Sequence, residues 1–233
     1  MTNILAVTLA RGGSKGLPQK HTRLLHGKPV LEYTIEAVQA SKYLNDYVVS
    51  SDDIEILAIA QRCGVDTIVR PVALAQDTTP TLPALVHAVE TFEKRYRQHF
   101  DYIVEVRATS PLKSAEDIDG MVGYLLESGA DSVIGVTALE DHHPARAKWI
   151  DIEGRLRDFI PEPDSGRRQD LHPKAFIRNG TVYALTRAAL DSGKLWGHKD
   201  SRAYVMPAER SVNLDTPIDF ALCEVLMRSR ERV

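Results

Sequence analysis

Between residues 4 and 136, short apolar runs of strand length alternate with stretches whose apolar residues recur at helical spacing. This rhythm constrains the fold more than any other feature of the chain. Ile4–Ala10, Tyr47–Ser51, Thr67–Val69, Tyr102–Val106 and Ser132–Val136 read as strands. Pro29–Ser41, with Leu31, Ile35 and Val38 on one side, reads as a helix, as do Thr81–Arg95 and Ala115–Ser128. A further helix follows Asp52 or Asp53, either of which is placed to cap it, with Ile54, Leu57, Ala58 and Ile59 as its inner face. Strands joined through helices lie parallel, because a parallel return needs a crossover, and such crossovers are right-handed. The prediction is an α/β fold: a mostly parallel, doubly wound sheet with helices on both faces. Ligands of such sheets sit outside the carboxyl ends of the strands, so the loops that begin at Arg11, Ser51, Arg70 and Arg107 are the places to look.

The rhythm stops after Val136. Residues 140–178 are polar and carry Pro144, Pro161, Pro163 and Pro173. Within them, Trp149–Ile152 and Leu156–Ile160, joined through Glu153-Gly154, read as a hairpin. The segment is expected to be an inserted arm and a dimer contact. Thr181–Leu185 and Ala203–Met206 return to strand-like composition, and Pro217–Arg228 closes the chain with a helix. Residues 1–233 are thus read as one domain with the arm inserted, a normal size for an α/β unit.

No apolar run approaches the roughly 20 residues of a membrane span. The first apolar run has no charged region ahead of it and reads as a strand rather than a signal peptide. Cys63 and Cys223 lie in apolar helical patterns and form neither a disulfide framework nor a metal cluster. Together these features predict a soluble, cytoplasmic protein. The net charge of −3 argues against a general nucleic-acid binder. Its distribution is more telling: residues 1–31 hold no Asp or Glu, yet contain Arg11, Lys15, Lys20, Arg23 and Lys28. A basic field in an acidic chain points to a small anionic ligand near the N-terminus.

The segment LARGGSKGLPQKH, residues 9–21, concentrates that field in a glycine-rich loop after the first strand. Glycines let backbone N–H groups approach phosphate oxygens, and Arg11, Lys15 and Lys20 supply charge, which makes the sheet a candidate nucleotide-binding one. The spacing is neither that of a dinucleotide-binding turn nor that of a P-loop, so a nicotinamide-dependent dehydrogenase and a P-loop ATPase are disfavoured.

The same segment resembles the L-A-R-x-x-S-K-G-L-x-x-K-N signature of the acylneuraminate cytidylyltransferase family. Further matches follow in family order: VSSDD (49–53), RPVALAQDTTPT (70–81), ATSPL (108–112), HHP (142–144), RNG (178–180) and NLDTPIDF (213–220). The resemblance runs nearly end to end. It implies a homodimer whose arm reaches the partner, a Mg²⁺ cofactor, and transfer of CMP from CTP to a nonulosonic (sialic-type) acid with release of pyrophosphate. The product is a CMP-sugar of the kind used for cell-surface polysaccharide. Position by position, it implies a nucleotide site built from Ala10, Arg11, Gly12, Gly13, Ser14, Lys15, Lys20 and His21 around the triphosphate. Arg70, Asp77, Thr79 and Thr81 would complete that site at the cytidine end. It implies sugar contacts from Arg107, Thr109, Ser110, Arg168, Arg178 and Asn179, and metal binding by Asp215 with Asn213. Arg11, Lys15, Lys20 and Asp215 would be the catalytic groups.

Three positions depart from the family pattern. His21 stands for Asn, Asn213 for the first of two metal-binding Asp residues, and Arg107 for Gln. The last bears on sugar choice, with Glu105, two residues earlier on the same strand face, as an alternative ion partner for Arg107. His142 and His143 are adjacent on a loop and do not converge on one ion, while Asp219 sits in a first helical turn and reads as a cap. Two other functions fit less well. A cytidylyltransferase for another 3-deoxy-2-keto sugar acid, such as 3-deoxy-manno-octulosonate, has an opening motif without the Ser14–Gly16 triplet. A non-catalytic sugar-nucleotide-binding protein is suggested only by Asn213.

Overall fold

The computed structural model describes residues 2–164 and 166–230. Its centre is a seven-stranded sheet built from β1 (Ile4–Leu9), β4 (Asp46–Ser51), β5 (Asp66–Val69), β6 (Tyr102–Val106), β7 (Ser132–Ala138), β10 (Phe176–Thr186) and β11 (Ser201–Val205). The order is β11-β7-β10-β6-β1-β4-β5. β1 pairs in parallel with both β4 and β6, so its Leu5, Ala6 and Val7 are wholly buried and the strand reads as an unbroken apolar run. Helices α1 (Val30–Gln39), α2 (Ile54–Arg62) and α4 (Ala115–Ser128) cover one face around Ile35, Ile59 and Ile118, while α3 (Thr81–Tyr96) covers the other with Leu85, Val89 and Phe92. The α/β, mostly parallel expectation holds.

Two details differ from the sequence reading. β10 starts five residues earlier than expected, at Phe176, and runs antiparallel to both β6 and β7. The chain returns from the arm directly into the sheet, without a crossover helix, and a direct return reverses the strand. In α2 the inner face is Ile56, Leu57, Ile59 and Ala60, while Ile54 is 84% exposed. Asp53 sets this phase: its carboxylate accepts from the Glu55 and Ile56 amides, which places Ile54 at the outward-turned first position.

A two-stranded ribbon, β2 (Leu24–Leu25) with β3 (Lys28–Pro29), turns through His26 and Gly27, both at positive φ, and delivers the chain from the first loop into α1. The arm holds a hairpin of β8 (Lys148–Ile150) and β9 (Leu156–Asp158), shorter than the sequence reading but in the same place. Its Trp149, Ile150, Ile152, Leu156 and Phe159 are all exposed. α5 (Arg187–Asp191) follows β10, and α6 (Pro217–Arg230) packs Phe220, Cys223 and Met227 against Leu17, Leu25 and Leu112. That third apolar cluster fastens the first loop to the C-terminal helix. Among the described residues, no helix is long and apolar enough to cross a membrane.

Candidate active site

Beyond the carboxyl ends of β1, β5 and β6 lies a cleft of about 530 Å³. Its walls come from the loop after β1 (Arg11, Ser14, Lys15, Gly16, Lys20, His21) and from Arg70 with the 74–81 segment. The far side is formed by the end of β6 (Glu105, Arg107, Ala108, Thr109) and by Asp215. The cleft lies where the loops beginning at Arg11, Arg70 and Arg107 leave the sheet, while no residue of the loop beginning at Ser51 is among its walls.

The first loop is shaped by close approaches that only glycine permits. A Cβ on Gly16 would stand 2.4 Å from the Asp215 carbonyl oxygen, and one on Gly12 would collide with the Asp53 carboxylate. The loop therefore lies directly on the segment carrying Asp215, and Lys20 Nζ donates to Asp215 Oδ1 at 2.8 Å. Lys20 is buried while the Asp215 side chain is 63% exposed to the cleft. Across the cleft, Asp77 holds Arg11 at 2.7 Å and also pairs with Lys15. These cations, the Lys15 hydrogen bond first, hold the Asp77 carboxyl below the usual carboxylate range. Asp52 accepts from the Gly12 amide, so both Asp52 and Asp53 serve the backbone.

His21 is buried against this cluster. Burial first, then the charges of Lys20, Arg70 and Arg11, lower its imidazole from 6.5 to about 3, so the ring is neutral. Its Nδ1 has no hydrogen-bond partner among the described residues. Arg70, also buried, donates to the Ser50 carbonyl at 2.5 Å and lies 3.3 Å from the Ser50 hydroxyl. Thr79 fixes its own loop by donating to the Ala73 carbonyl.

At the end of β6, Arg107 Nε lies 3.3 Å from Glu105 Oε1, and the guanidinium stacks over the Tyr183 ring at 4.9 Å. The alternative partnership with Glu105 is thus present, and both residues still face the cleft. Lys113, itself buried, donates to the Arg107 carbonyl at 2.7 Å, the Ser110 carbonyl at 2.9 Å and the Thr34 hydroxyl at 2.6 Å, which pins the turn between them. Sequence reasoning did not single out Lys113. The signal was a lone lysine inside an otherwise apolar and capping stretch.

Asp215 and Asn213 lie together: Asn213 Nδ2 donates to Asp215 Oδ2 at 2.7 Å. One cleft-facing carboxylate beside an amide fits a hard divalent cation that keeps waters and phosphate oxygens in its shell. Among the described residues, no group of three or more His, Cys, Asp or Glu could hold an ion entirely by protein ligands. Asp219 accepts from the Thr216 amide at 2.7 Å and the Asp215 amide at 3.1 Å, as a cap should.

Several implied sugar contacts lie elsewhere. Asn179 is buried and spends its amide on Ser211, Met206 and Thr181, bridging the irregularity in β10 between Arg178 and Tyr183. Ser110 is buried under the turn, 3.5 Å from the Gly180 carbonyl and Asn213 Oδ1. Arg178 stacks on Trp196 at 4.0 Å, outside the cleft wall. Arg168 sits on the arm, paired with Glu140 at 2.6 Å, and lines a separate hollow. Ala10, Gly12 and Gly13 shape the first loop without lining the cleft. His143 accepts from the Ala145 amide and its Nε2 lies 2.9 Å from the Pro173 carbonyl, so it is a structural residue of the arm.

Comparison with known proteins adds a family. The model of a family described as cytidylyltransferase matches residues 5–148. The chain is 31% identical over 228 residues to N-acylneuraminate cytidylyltransferase A of Danio rerio, covering 95% of this chain but 50% of that protein. It is 31% identical over 229 residues to the CMP-N,N'-diacetyllegionaminic acid synthase of Legionella pneumophila, covering 96% of each. Among solved structures, a CMP:2-keto-3-deoxy-manno-octonic acid synthetase complexed with CTP aligns with a TM-score of 0.74 at 17% identity, over 98% of this chain and 100% of that one. At that identity the likeness shows the fold.

Proposed function

This chain belongs to the cytidylyltransferase family, and from that premise we propose that it transfers CMP from CTP to the anomeric hydroxyl of a nonulosonic acid, giving a CMP-sugar and pyrophosphate. The observation that carries the reading is the meeting of two segments far apart in sequence. The basic glycine loop after β1 and Asp215 before α6 face one cleft and touch through Lys20. The acceptor class follows from the relatives' names, which specify N-acylneuraminate and diacetyllegionaminic acid.

In this reading the triphosphate lies along the first loop. Arg11 and Lys15 exchange the Asp77 carboxylate for phosphate oxygens, and Lys20 neutralises charge beside Asp215. The sugar hydroxyl attacks the α-phosphorus as the bond to the departing pyrophosphate breaks. Positioning and charge neutralisation are the main work left to the protein in such a displacement. Arg70, with the loop carrying Thr79 and Thr81, takes the cytidine end, and Thr109 and Arg107 face the sugar. Mg²⁺ would be held by Asp215 with Asn213, and would supply charge neutralisation to the triphosphate.

The same proposal includes a homodimer, with each arm carrying Arg168 toward the partner's cleft, since Arg168 stands outside its own. A cytoplasmic site of action fits the use of CTP and the two unpaired cysteines. The test is pyrophosphate release from CTP and Mg²⁺ with a panel of acids: N-acetylneuraminic, a diacetylated legionaminic acid and 3-deoxy-manno-octulosonate. Turnover with the first two and not the third is expected. Turnover with the octulosonate alone would move the acceptor to that class, and failure to bind CTP at all would remove the reading.

A further inference from the structure

Asp77 is an anion of the chain itself, seated on cations that suit phosphate. Its Oδ1 lies 2.7 Å from Arg11 and its Oδ2 pairs with Lys15, so two of the three cations on the first loop are already engaged. The contact joins parts of the chain far apart in sequence: the loop after β1, and the segment between the short turn Val72–Leu74 and α3. That segment's own hydrogen bonds are local, from Gln76 to the Val72 carbonyl at 2.8 Å and from Thr79 to the Ala73 carbonyl at 3.2 Å. Asp77 is what straps it to the opposite wall. The Asp77 side chain is 36% exposed and that of Lys15 83%. Ion pairs so open to water are individually weak, so the strap can open and close.

A tethered anion competes with a free one for the same cations, and tethering keeps its local concentration high. The apparent affinity for the free anion then falls in proportion to the fraction of molecules whose cations are unoccupied. The Asp77 carboxyl is held below the usual carboxylate range, so this competitor keeps its charge at neutral pH. Charge and anchoring decide which anion wins. The intact triphosphate carries several charges to the single one of Asp77, and it is also gripped through its cytidine. Once the bond between the α- and β-phosphates breaks, pyrophosphate has lost that second grip, and the carboxylate competes on better terms.

We propose that Asp77 is an internal competitor for the pyrophosphate half of the nucleotide: it closes on Arg11 and Lys15 in the free protein and returns to them after transfer, which weakens CTP binding and eases the release of pyrophosphate. The inference rests on the function proposed above, and one experiment separates the two. Wild type, Asp77→Asn and Asp77→Glu are titrated in Mg²⁺ by calorimetry with CTP, with inorganic pyrophosphate and with CMP, and their folding is followed by thermal denaturation. The substitutions alter an exposed side chain, so the fold should stay intact. Asp77→Asn removes the competing charge and should bind both CTP and pyrophosphate about fivefold more tightly, roughly what two exposed ion pairs are worth. Inhibition by pyrophosphate, in competition with CTP, should strengthen by the same factor. CMP, which lacks the pyrophosphate half, should bind within about twofold of wild type. Asp77→Glu keeps the charge and should bind pyrophosphate less tightly than Asp77→Asn. Weaker CTP binding by Asp77→Asn would make Asp77 a nucleotide ligand and overturn the inference. So would unchanged pyrophosphate binding, an equal tightening for CMP, or Asp77→Glu matching Asp77→Asn. In each of those cases wild type still binds CTP and the functional reading stands. Wild type that does not bind CTP removes that reading, and this inference with it.

Discussion

His21 carries a proton-linked cost that can be measured without any substrate. Its folded pKa, about 3, lies below the ordinary 6.5. Between those values the unfolded chain binds a proton that the folded chain refuses, so stability falls as the pH drops through 6.5, by up to about 1.4 kcal/mol per pH unit. His21→Asn removes the titrating group while keeping a polar side chain. Denaturant unfolding between pH 6.5 and 4.5, above the main carboxylate range, should give a flatter profile for the variant, and an equal slope would assign the effect to another group. Lys20 and Asp215 make the complementary case, a contact important for turnover more than for folding. Lys20→Ala should lower kcat about 10²–10³-fold, the usual loss when one charge partner of a developing anion is removed. Asn213→Asp adds a second hard ligand beside Asp215 and should raise apparent Mg²⁺ affinity on the order of tenfold, read as the Mg²⁺ dependence of pyrophosphate release. If Asn213→Asp leaves the Mg²⁺ curve unmoved, the cation binds elsewhere.

The elements follow the chain's local chemistry closely where caps and periodicity agree. Helix α4 spans the expected residues because Ser114 and Asp117 form a reciprocal capping box and Gly129 takes the left-handed conformation that ends it. Strand β6 is legible for the same reason: an apolar run bounded by polar turns. What escaped the sequence depends on three-dimensional return paths. Nothing local in Phe176–Thr186 says that the strand enters antiparallel, and nothing in RNG says that Asn179 is consumed by Ser211 and Thr181 instead of a ligand. The cleft residues on loops that leave β1 and β6 were legible because strand ends fix where those loops point. Arg168 was not, because its placement depends on the arm, and Arg178 was not, because it stacks on Trp196 from a distant part of the chain. The turn after β6 also shows how an element is held for function. Lys113 binds the Arg107 and Ser110 carbonyls from beneath, and burial lowers its ammonium to about 7. Lys113→Met should leave those carbonyls unpartnered and let the turn drift. A KM increase of about tenfold for the sugar acid, with CTP affinity within about twofold, would mark it as a positioning residue; an equal loss for both substrates would mark a general folding defect.

At the scale of the whole molecule, the arm is the part whose exposed chemistry does not match a chain standing alone. Ile150, Ile152, Leu156 and Phe159 cluster on and around one hairpin with exposures between 66% and 101%. A two-stranded ribbon is at best marginally stable in water and gains its order by packing on something. Its own ion pairs supply little of that: Lys148 to Asp158 at 2.6 Å, and Asp151 to Arg157 at 3.0 Å, are half-exposed contacts. A second copy offers a partner of matching chemistry, because a two-fold interface presents each apolar patch to its own counterpart. The homodimer proposed above therefore makes a composite expectation. Light scattering at micromolar concentration should give twice the 25.9 kDa chain mass. Ile152→Glu with Phe159→Glu places like charges in that contact without touching the sheet core, and should yield folded monomers. If each arm also brings Arg168 to the partner's cleft, those monomers should bind CTP normally yet lose most turnover, because the nucleotide half of the site is built within one chain. Monomeric wild type would overturn the dimer. Monomeric variants with full turnover would keep the dimer and remove Arg168 from the reaction.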